Sequence, residues 1–201
     1  MKKVKIVLVG AQHTGKTSIV NKYVLGKFTQ HTISTTQPGL AQKQITHRDH
    51  QLSLEIWDTA GQERYNALSP LFYRDAEAGI VVFDLTDQES FTRAEKWIEE
   101  LKKARGDNIH IVVAGNKVDL VDKRKISPAD AQRIAQSVNA PYFETSAKTA
   151  ENIEALFNSI CDLIVNQLLS QNQGGDSGEK KSLRASIRFD QAQPENNGCS
   201  C

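Results

Sequence analysis

Cysteine is almost missing from this chain, with three in 201 residues. Three thiols cannot build the framework of a small secreted domain, so a reducing compartment is expected. Long apolar runs are missing too: stretches such as GIVVF (79–83) and IHIVVAG (109–115) are far too short to span a bilayer. The N-terminal MKKVKIVLVGA begins like a secretory signal, but Lys5 leaves only Ile6–Val9 as an apolar run, well short of one. The folded part is therefore expected on the cytosolic side. No charge excess exists either. With 25 basic and 24 acidic residues there is no electrostatic footprint for nucleic acid. No internal repeat is visible. What remains, 39% hydrophobic and 24% charged, suits one globular domain with a sizeable core.

Short β-branched runs alternate with helix-period segments, which predicts an α/β domain around a mostly parallel sheet with helices on both faces. Six strands are expected: Val4–Val9, Ala41–Thr46, Leu52–Trp57, Gly79–Asp84, Ile109–Gly115 and Tyr142–Glu144. Only HRDHQ separates the second from the third, so these two form an antiparallel hairpin. The runs IVLV, IVVF and IVVA do not alternate, which marks strands covered on both faces. Phe91, Ala94, Trp97, Ile98 and Leu101 share one helical face, as do Ile153, Leu156, Phe157, Ile160 and Ile164. Ser127-Pro128 reads as an N-cap with proline at the first helical position. Cys161 falls within the last helix as a small buried hydrophobe. The domain is expected to cover 1–169. Residues 170–201, poor in apolar side chains, are expected to be a disordered tail without a polybasic patch.

The first strand runs straight into GAQHTGKT, residues 10–17, which fits GxxxxGK[ST]. Glycines at 10 and 15 let the backbone curl so that successive N–H groups point at phosphate oxygens. Lys16 brings a cation to the β- and γ-phosphates, Thr17 offers a hydroxyl to Mg²⁺, and the following helix adds its positive end. The expected phosphate-side set is Gln12, His13, Thr14, Gly15, Lys16, Thr17 and Ser18. The loop by itself does not choose the base. Asn116-Lys117-Val118-Asp119 follows another strand end, where ligands bind in open α/β folds. Asp119 is an acceptor only, and guanine presents two adjacent N–H donors that one carboxylate can take together. Adenine lacks that pair. Glu144-Thr145-Ser146-Ala147-Lys148 follows a third strand end, and the Ala147 N–H is placed to meet guanine O6.

Trp57-Asp58-Thr59-Ala60-Gly61-Gln62-Glu63 stands behind the third strand. Asp58 is expected to hold Mg²⁺ through a water, Gly61 to offer its N–H to the γ-phosphate, and Gln62 to orient an attacking water. In this order and spacing, GAQHTGKT, WDTAGQERY, NKVD and ETSAK resemble the Ras-like small GTPases. WDTAGQERYNALSPLFYRDA and DLTDQESF are similar to the Rab branch of that family. The resemblance runs from residue 4 to about 165. It implies the P-loop NTPase fold and a slow GTPase, stimulated by an activating protein, that holds two loops ordered with GTP and Mg²⁺ and releases them on hydrolysis. By position Thr35 would ligate Mg²⁺ and meet the γ-phosphate, and Phe28 would pack edge-on against guanine. Leu40, Trp57 and Phe72 fall where Rab proteins keep an aromatic triad read by effectors, and Leu40 departs from it. Switch I departs too, reading Thr35-Thr36-Gln37-Pro38-Gly39, with a Gln similar to one early-endosomal subgroup. Gln12 stands where Ras itself has glycine: either it crowds Gln62 or an inserted arginine and slows turnover, or it has no marked effect.

The remaining two cysteines close the chain as Cys199-Ser200-Cys201. No cysteine stands fourth from the end, so this is not a CaaX box. It resembles the Cys-x-Cys ending on which Rab proteins carry two geranylgeranyl groups. One lipid gives marginal, reversible membrane binding and two give a stable anchor. The resemblance thus implies a monomeric domain on the cytoplasmic face of intracellular membranes, endosomal by its switch I, with a cytosolic pool. It also implies the family's partners: an exchange factor, an activating protein, effectors, an escort protein or GDP-dissociation inhibitor, and geranylgeranyl transferase. Two other classes compete with this reading. A P-loop ATPase or small kinase is opposed by Asp119, and a nucleotide-locked module without hydrolysis is opposed by Gln62.

Overall fold

The structure, a computed structural model, describes residues 1–30, 35, 37–59 and 72–173. The apolar runs form strands β1 (Lys2–Val9), β4 (Ala78–Asp84) and β5 (His110–Asn116), joined by β2 (Gly39–His47), β3 (His50–Asp58) and β6 (Tyr142–Thr145). They make one six-stranded sheet in the order β2-β3-β1-β4-β5-β6. All neighbours are parallel except β2 and β3. That pair turns tightly. His47 lies opposite His50, and Arg48 and Asp49 both take positive φ (45° and 64°), the two-residue turn whose twist matches the flanking strands. The five-residue HRDHQ connection read from the sequence is therefore mostly strand, because pairing continues to the last residue the turn allows.

Four α-helices occur among the described residues: α1 (Lys16–Leu25), α2 (Gln88–Arg105), α3 (Pro128–Gln136) and α4 (Ile153–Gln173). One face of the sheet buries Ile6, Leu8 and Ile80 against Ile19 and Tyr23 of α1 and Phe157, Ile160 and Ile164 of α4. The other buries Val7, Val81 and Val113 against Ala94 and Leu101 of α2 and Ile134 of α3. Each of the valine, leucine, isoleucine and phenylalanine side chains contributes roughly 1.5–3 kcal/mol on leaving water. This two-sided burial is why IVLV, IVVF and IVVA show no alternation. Asp87 caps α2, accepting from the Glu89 N–H at 3.1 Å, and Ser127 caps α3, accepting from the Asp130 N–H at 3.1 Å. Cys161 is fully buried in α4, and burial pushes its thiol up to about 11, so it is an inert filler. The same helix continues past Leu169, where the sequence reading ended the domain, with Ser170 Oγ donating to Asn166 O at 2.9 Å. No helix among the described residues is long and apolar enough to cross a membrane.

Because β1, β3, β4, β5 and β6 run the same way, their carboxyl ends share one edge of the sheet. The strand order reverses at β1, and the crevice such a reversal opens is where ligands bind in sheets of this kind.

Candidate functional site

At that edge lies a cleft of about 460 Å³, the size of a small-molecule site. The loop from β1 to α1 forms its floor. Gly10 (φ 144°) passes so close to β4 that a Cβ there would sit 2.0 Å from Val82 O, and a Cβ on Gly15 (φ 94°) would sit 2.3 Å from Asn116 Nδ2. The first contact is with backbone, the second would push the Asn116 amide off Thr14 O, and both residues hold positive φ, so both positions require glycine. His13 also takes positive φ (64°), and Thr14 braces the curl by donating to Ala11 O at 2.9 Å.

Lys16 opens α1 and is 5% exposed. Its Nζ donates to Gly10 O and Ala11 O, both at 2.9 Å. Burial lowers its pKa to about 8 from 10.5, with the Asp58 charge pulling the other way. Beside it, Thr17 Oγ1 donates to Asp58 Oδ2 at 2.6 Å and lies 2.8 Å from Thr35 Oγ1. Burial raises the Asp58 pKa against the Thr17 bond and the Lys16 charge. Asp58 Oδ1 is buried and has no hydrogen-bond partner among the described residues. A buried carboxylate oxygen without a donor is costly. Two hydroxyls and that oxygen at one spot are a donor set of hard oxygens, which fits Mg²⁺.

The opposite end is built from the β5 and β6 termini. Asn116 ties three segments together: its Nδ2 donates to Thr14 O at 2.8 Å, and its Oδ1 accepts from Thr145 Oγ1 at 3.3 Å and Ala147 N–H at 3.4 Å. Ser146 Oγ donates to Asp119 Oδ1 at 2.6 Å while accepting from the Thr149 N–H at 3.0 Å, which fixes the carboxylate's direction. Lys117 is held in the left-handed region (φ 68°), and its Nζ sits 2.6 Å from Asp84 Oδ2. Behind it, Arg124 grips Glu144 with both guanidinium arms, Nη1 donating to Oε2 at 2.8 Å. That grip keeps the Glu144 carboxyl below its ordinary value.

Of the residues expected from the sequence, Gln12, His13, Gly15, Lys16, Thr17, Ser18, Phe28, Thr35, Asn116, Lys117, Asp119, Ala147 and Lys148 line the cleft. Thr14 and Ser146 are fully buried and absent from the lining; their side chains hold the residues that form it. Asp58 stands behind Thr17. Gly61, Gln62, Cys199 and Cys201 lie outside the described residues. Thr29, Gln30 and Leu120 also line the cleft and were missed; nothing but their places beside Phe28 and Asp119 signals them. Away from the cleft, Leu40 lies opposite Trp57 in the β2–β3 register and is half exposed. Phe72 lies 6.1 Å from the Trp57 ring, so the three expected triad positions adjoin.

A family model described as "Ras family" matches residues 5–166. The Ras-related protein Rab-21 of Homo sapiens is 37% identical over 201 residues, which cover 98% of this chain and 89% of the relative. Rab-21 of Geodia cydonium is 42% identical over 163 residues, 81% of this chain and 71% of its own. The Ras-related protein Rab-5A of Dictyostelium discoideum is 44% identical over 156 residues, 78% of each chain. A phosphate-cradling loop, a set of hard oxygens and a fixed carboxylate around one cleft agree with these likenesses: the chain belongs to the Ras family, in its Rab branch, and is a GTPase switch of membrane traffic that binds GTP and GDP with Mg²⁺ and hydrolyses the one to the other.

Proposed function

We propose that the cleft takes the triphosphate at its Lys16 end and guanine at its Asp119 end, and that the chain acts as a lipid-anchored switch on endosomal membranes. The observation that carries the site reading is the pairing of opposite chemistries: a buried ammonium and donor-rich loop at one end, an acceptor-only carboxylate at the other. Burial lowers the Lys16 pKa to about 8, and the phosphate oxygens it meets favour its charged form further. Loop N–H groups and the α1 N-terminus spread further positive charge over the β- and γ-phosphates. Thr17, Thr35 and Asp58 would hold Mg²⁺, and the ion would supply positive charge against that developing on the phosphates. Gln62 orients a water so that its oxygen attacks the γ-phosphorus in line, while the bond to the β-bridging oxygen breaks and GDP keeps that oxygen's electrons. Gly61 N–H steadies the γ-phosphate. Thr35 Oγ1 lies 2.8 Å from Thr17 Oγ1, which sets it beside the γ-phosphate's place, so loss of that phosphate would take away a partner of Thr35.

At the base end, Asp119 accepts both guanine N–H donors and Ala147 N–H turns to O6. Its 3.4 Å contact to Asn116 is too long to compete with that carbonyl. Phe28, 37% exposed at the cleft, packs on the ring. Effectors read Leu40, Trp57 and Phe72. An exchange factor, an activating protein, an escort protein or GDP-dissociation inhibitor and geranylgeranyl transferase complete the cycle. Likeness to Rab-21 and Rab-5A, with Gln37 in switch I, supports the endosomal assignment.

Single-turnover hydrolysis tests the chemistry. Gln62→Leu is expected to slow phosphate release by about tenfold or more while GTP affinity changes little, because only the water's orientation is lost. Equal rates would remove Gln62 from the mechanism. Replacing both Cys199 and Cys201 by serine is expected to move the full chain from membranes to the soluble fraction; persistent membrane association would refute the double lipid anchor.

A further inference from the structure

Asp84 ends β4 and belongs to none of the motifs that mark the cleft. Its side chain is 9% exposed, and each of its oxygens has a separate task. Oδ1 accepts from the Thr86 N–H at 2.8 Å and from Thr86 Oγ1 at 2.7 Å, an Asx turn that stops the carboxylate from rotating. Oδ2 meets Lys117 Nζ at 2.6 Å. Asp84 lies opposite Asn116 in the β4–β5 register, so the sheet itself delivers the carboxylate beside the lysine that follows Asn116. Lys117 lines the cleft and Asp84 does not.

We propose that Asp84 is a positioning residue for nucleotide binding: it clamps the Lys117 ammonium at the back of the cleft, so that the lysine's four-carbon stem is presented, already ordered, as the wall of the base end. The inference rests on the reading of that end as the guanine site. A free lysine stem keeps rotamer freedom that a ligand packing on it must remove. Here the clamp removes that freedom beforehand. The pair also answers the strain at Lys117, whose left-handed backbone disfavours a residue with a Cβ. The clamp further settles where the charge goes. A lysine beside a triphosphate would otherwise turn toward the phosphates. Paired with Asp84, it serves the base end through its stem and leaves the phosphates to Lys16.

The test is displacement of a fluorescent GDP, and separately a fluorescent GTP, from the full chain. Asp84→Asn keeps the acceptor for Thr86 but faces the ammonium with an amide donor. It is expected to speed release of GDP and GTP by the same factor, about tenfold, since both share the base. Lys117→Met, which leaves the Asp84 turn intact, is expected to give a similar acceleration and keeps the test open if Asp84→Asn does not fold. The double variant should be no faster than the faster single one. Release within twofold of wild type for either single variant, unequal factors for GDP and GTP, or multiplying factors in the double variant would overturn the proposal. A wild-type chain that retains no guanine nucleotide would remove the reading of the cleft; one that retains it, with Asp84→Asn unchanged, removes only the role of Asp84.

Discussion

Asp119→Asn is expected to lower GTP affinity by on the order of a thousandfold and to create affinity for xanthosine triphosphate. Donors and acceptors decide the preference. Guanine presents N1–H and N2–H side by side, and the carboxylate accepts both in a charge-assisted pair. Ser146 donates to Oδ1 at 2.6 Å, and an asparagine Oδ1 can accept that bond unchanged, so the substituted side chain keeps its direction. Its Nδ2 then points a donor at a donor. Xanthine replaces the N2 amine with a carbonyl, which restores a match: the substituted amide would accept from N1–H and donate to O2. Competition binding with GTP, xanthosine triphosphate and ATP checks this. An unchanged preference for GTP would mean that Asp119 does not read the base, and the site would have to be rebuilt with guanine elsewhere.

Lys16→Met is expected to cost about a thousandfold in GTP affinity, as removing one member of a desolvated charge pair does, and to abolish a pH dependence that the wild type shows. Burial holds the Lys16 pKa at about 8, while the anionic ligand favours the charged form. Binding above that value therefore takes up a proton, and GTP affinity should be level below about pH 8 and fall by up to tenfold per pH unit above it. Titration calorimetry in two buffers of different ionisation enthalpy measures the uptake. Subtracting the Lys16→Met profile cancels titration of the base itself. Folding stability moves in the opposite sense. Without nucleotide, the folded-state pKa lies below the unfolded value, so the unfolded chain binds more protons between about pH 8 and 10.5 and stability rises through that window. A wild type whose GTP affinity is level across that range would contradict the buried ammonium as the phosphate partner.

Most of this architecture was legible in the sequence because its signals are local. Three unbroken apolar runs announce strands covered on both faces, and β1, β4 and β5 are those strands. GAQHTGKT needs glycine at 10 and 15 for steric reasons that the spacing alone carries, and the contacts at Val82 and Asn116 supply the neighbours that enforce it. The hairpin was legible, but its length was not. Arg48-Asp49 lacks the Asn-Gly or Asp-Gly signature of such turns, and clasping of Arg48 and His47 by Asp162 on α4 is a contact between residues more than a hundred apart. Apolar residues thin out after Leu169, yet backbone helix bonds need no apolar side chains and the helix carries on to Gln173.

The sequence by itself determined which chemical groups this protein owns: the phosphate loop, the acceptor-only aspartate, the β-branched strands and the paired terminal thiols. Each depends on a residue type at a short spacing, and a covalent chain specifies such things directly. Only the tertiary structure decided which groups face the ligand and which stand behind it. Thr14 and Ser146 became braces, and Asp84 was drawn to Lys117 by the pairing of β4 with β5. Asp58 Oδ1 was left buried beside two hydroxyls, with no donor among the described residues. Those outcomes arise from strand register and burial, which couple residues far apart in the chain and leave no pattern along it.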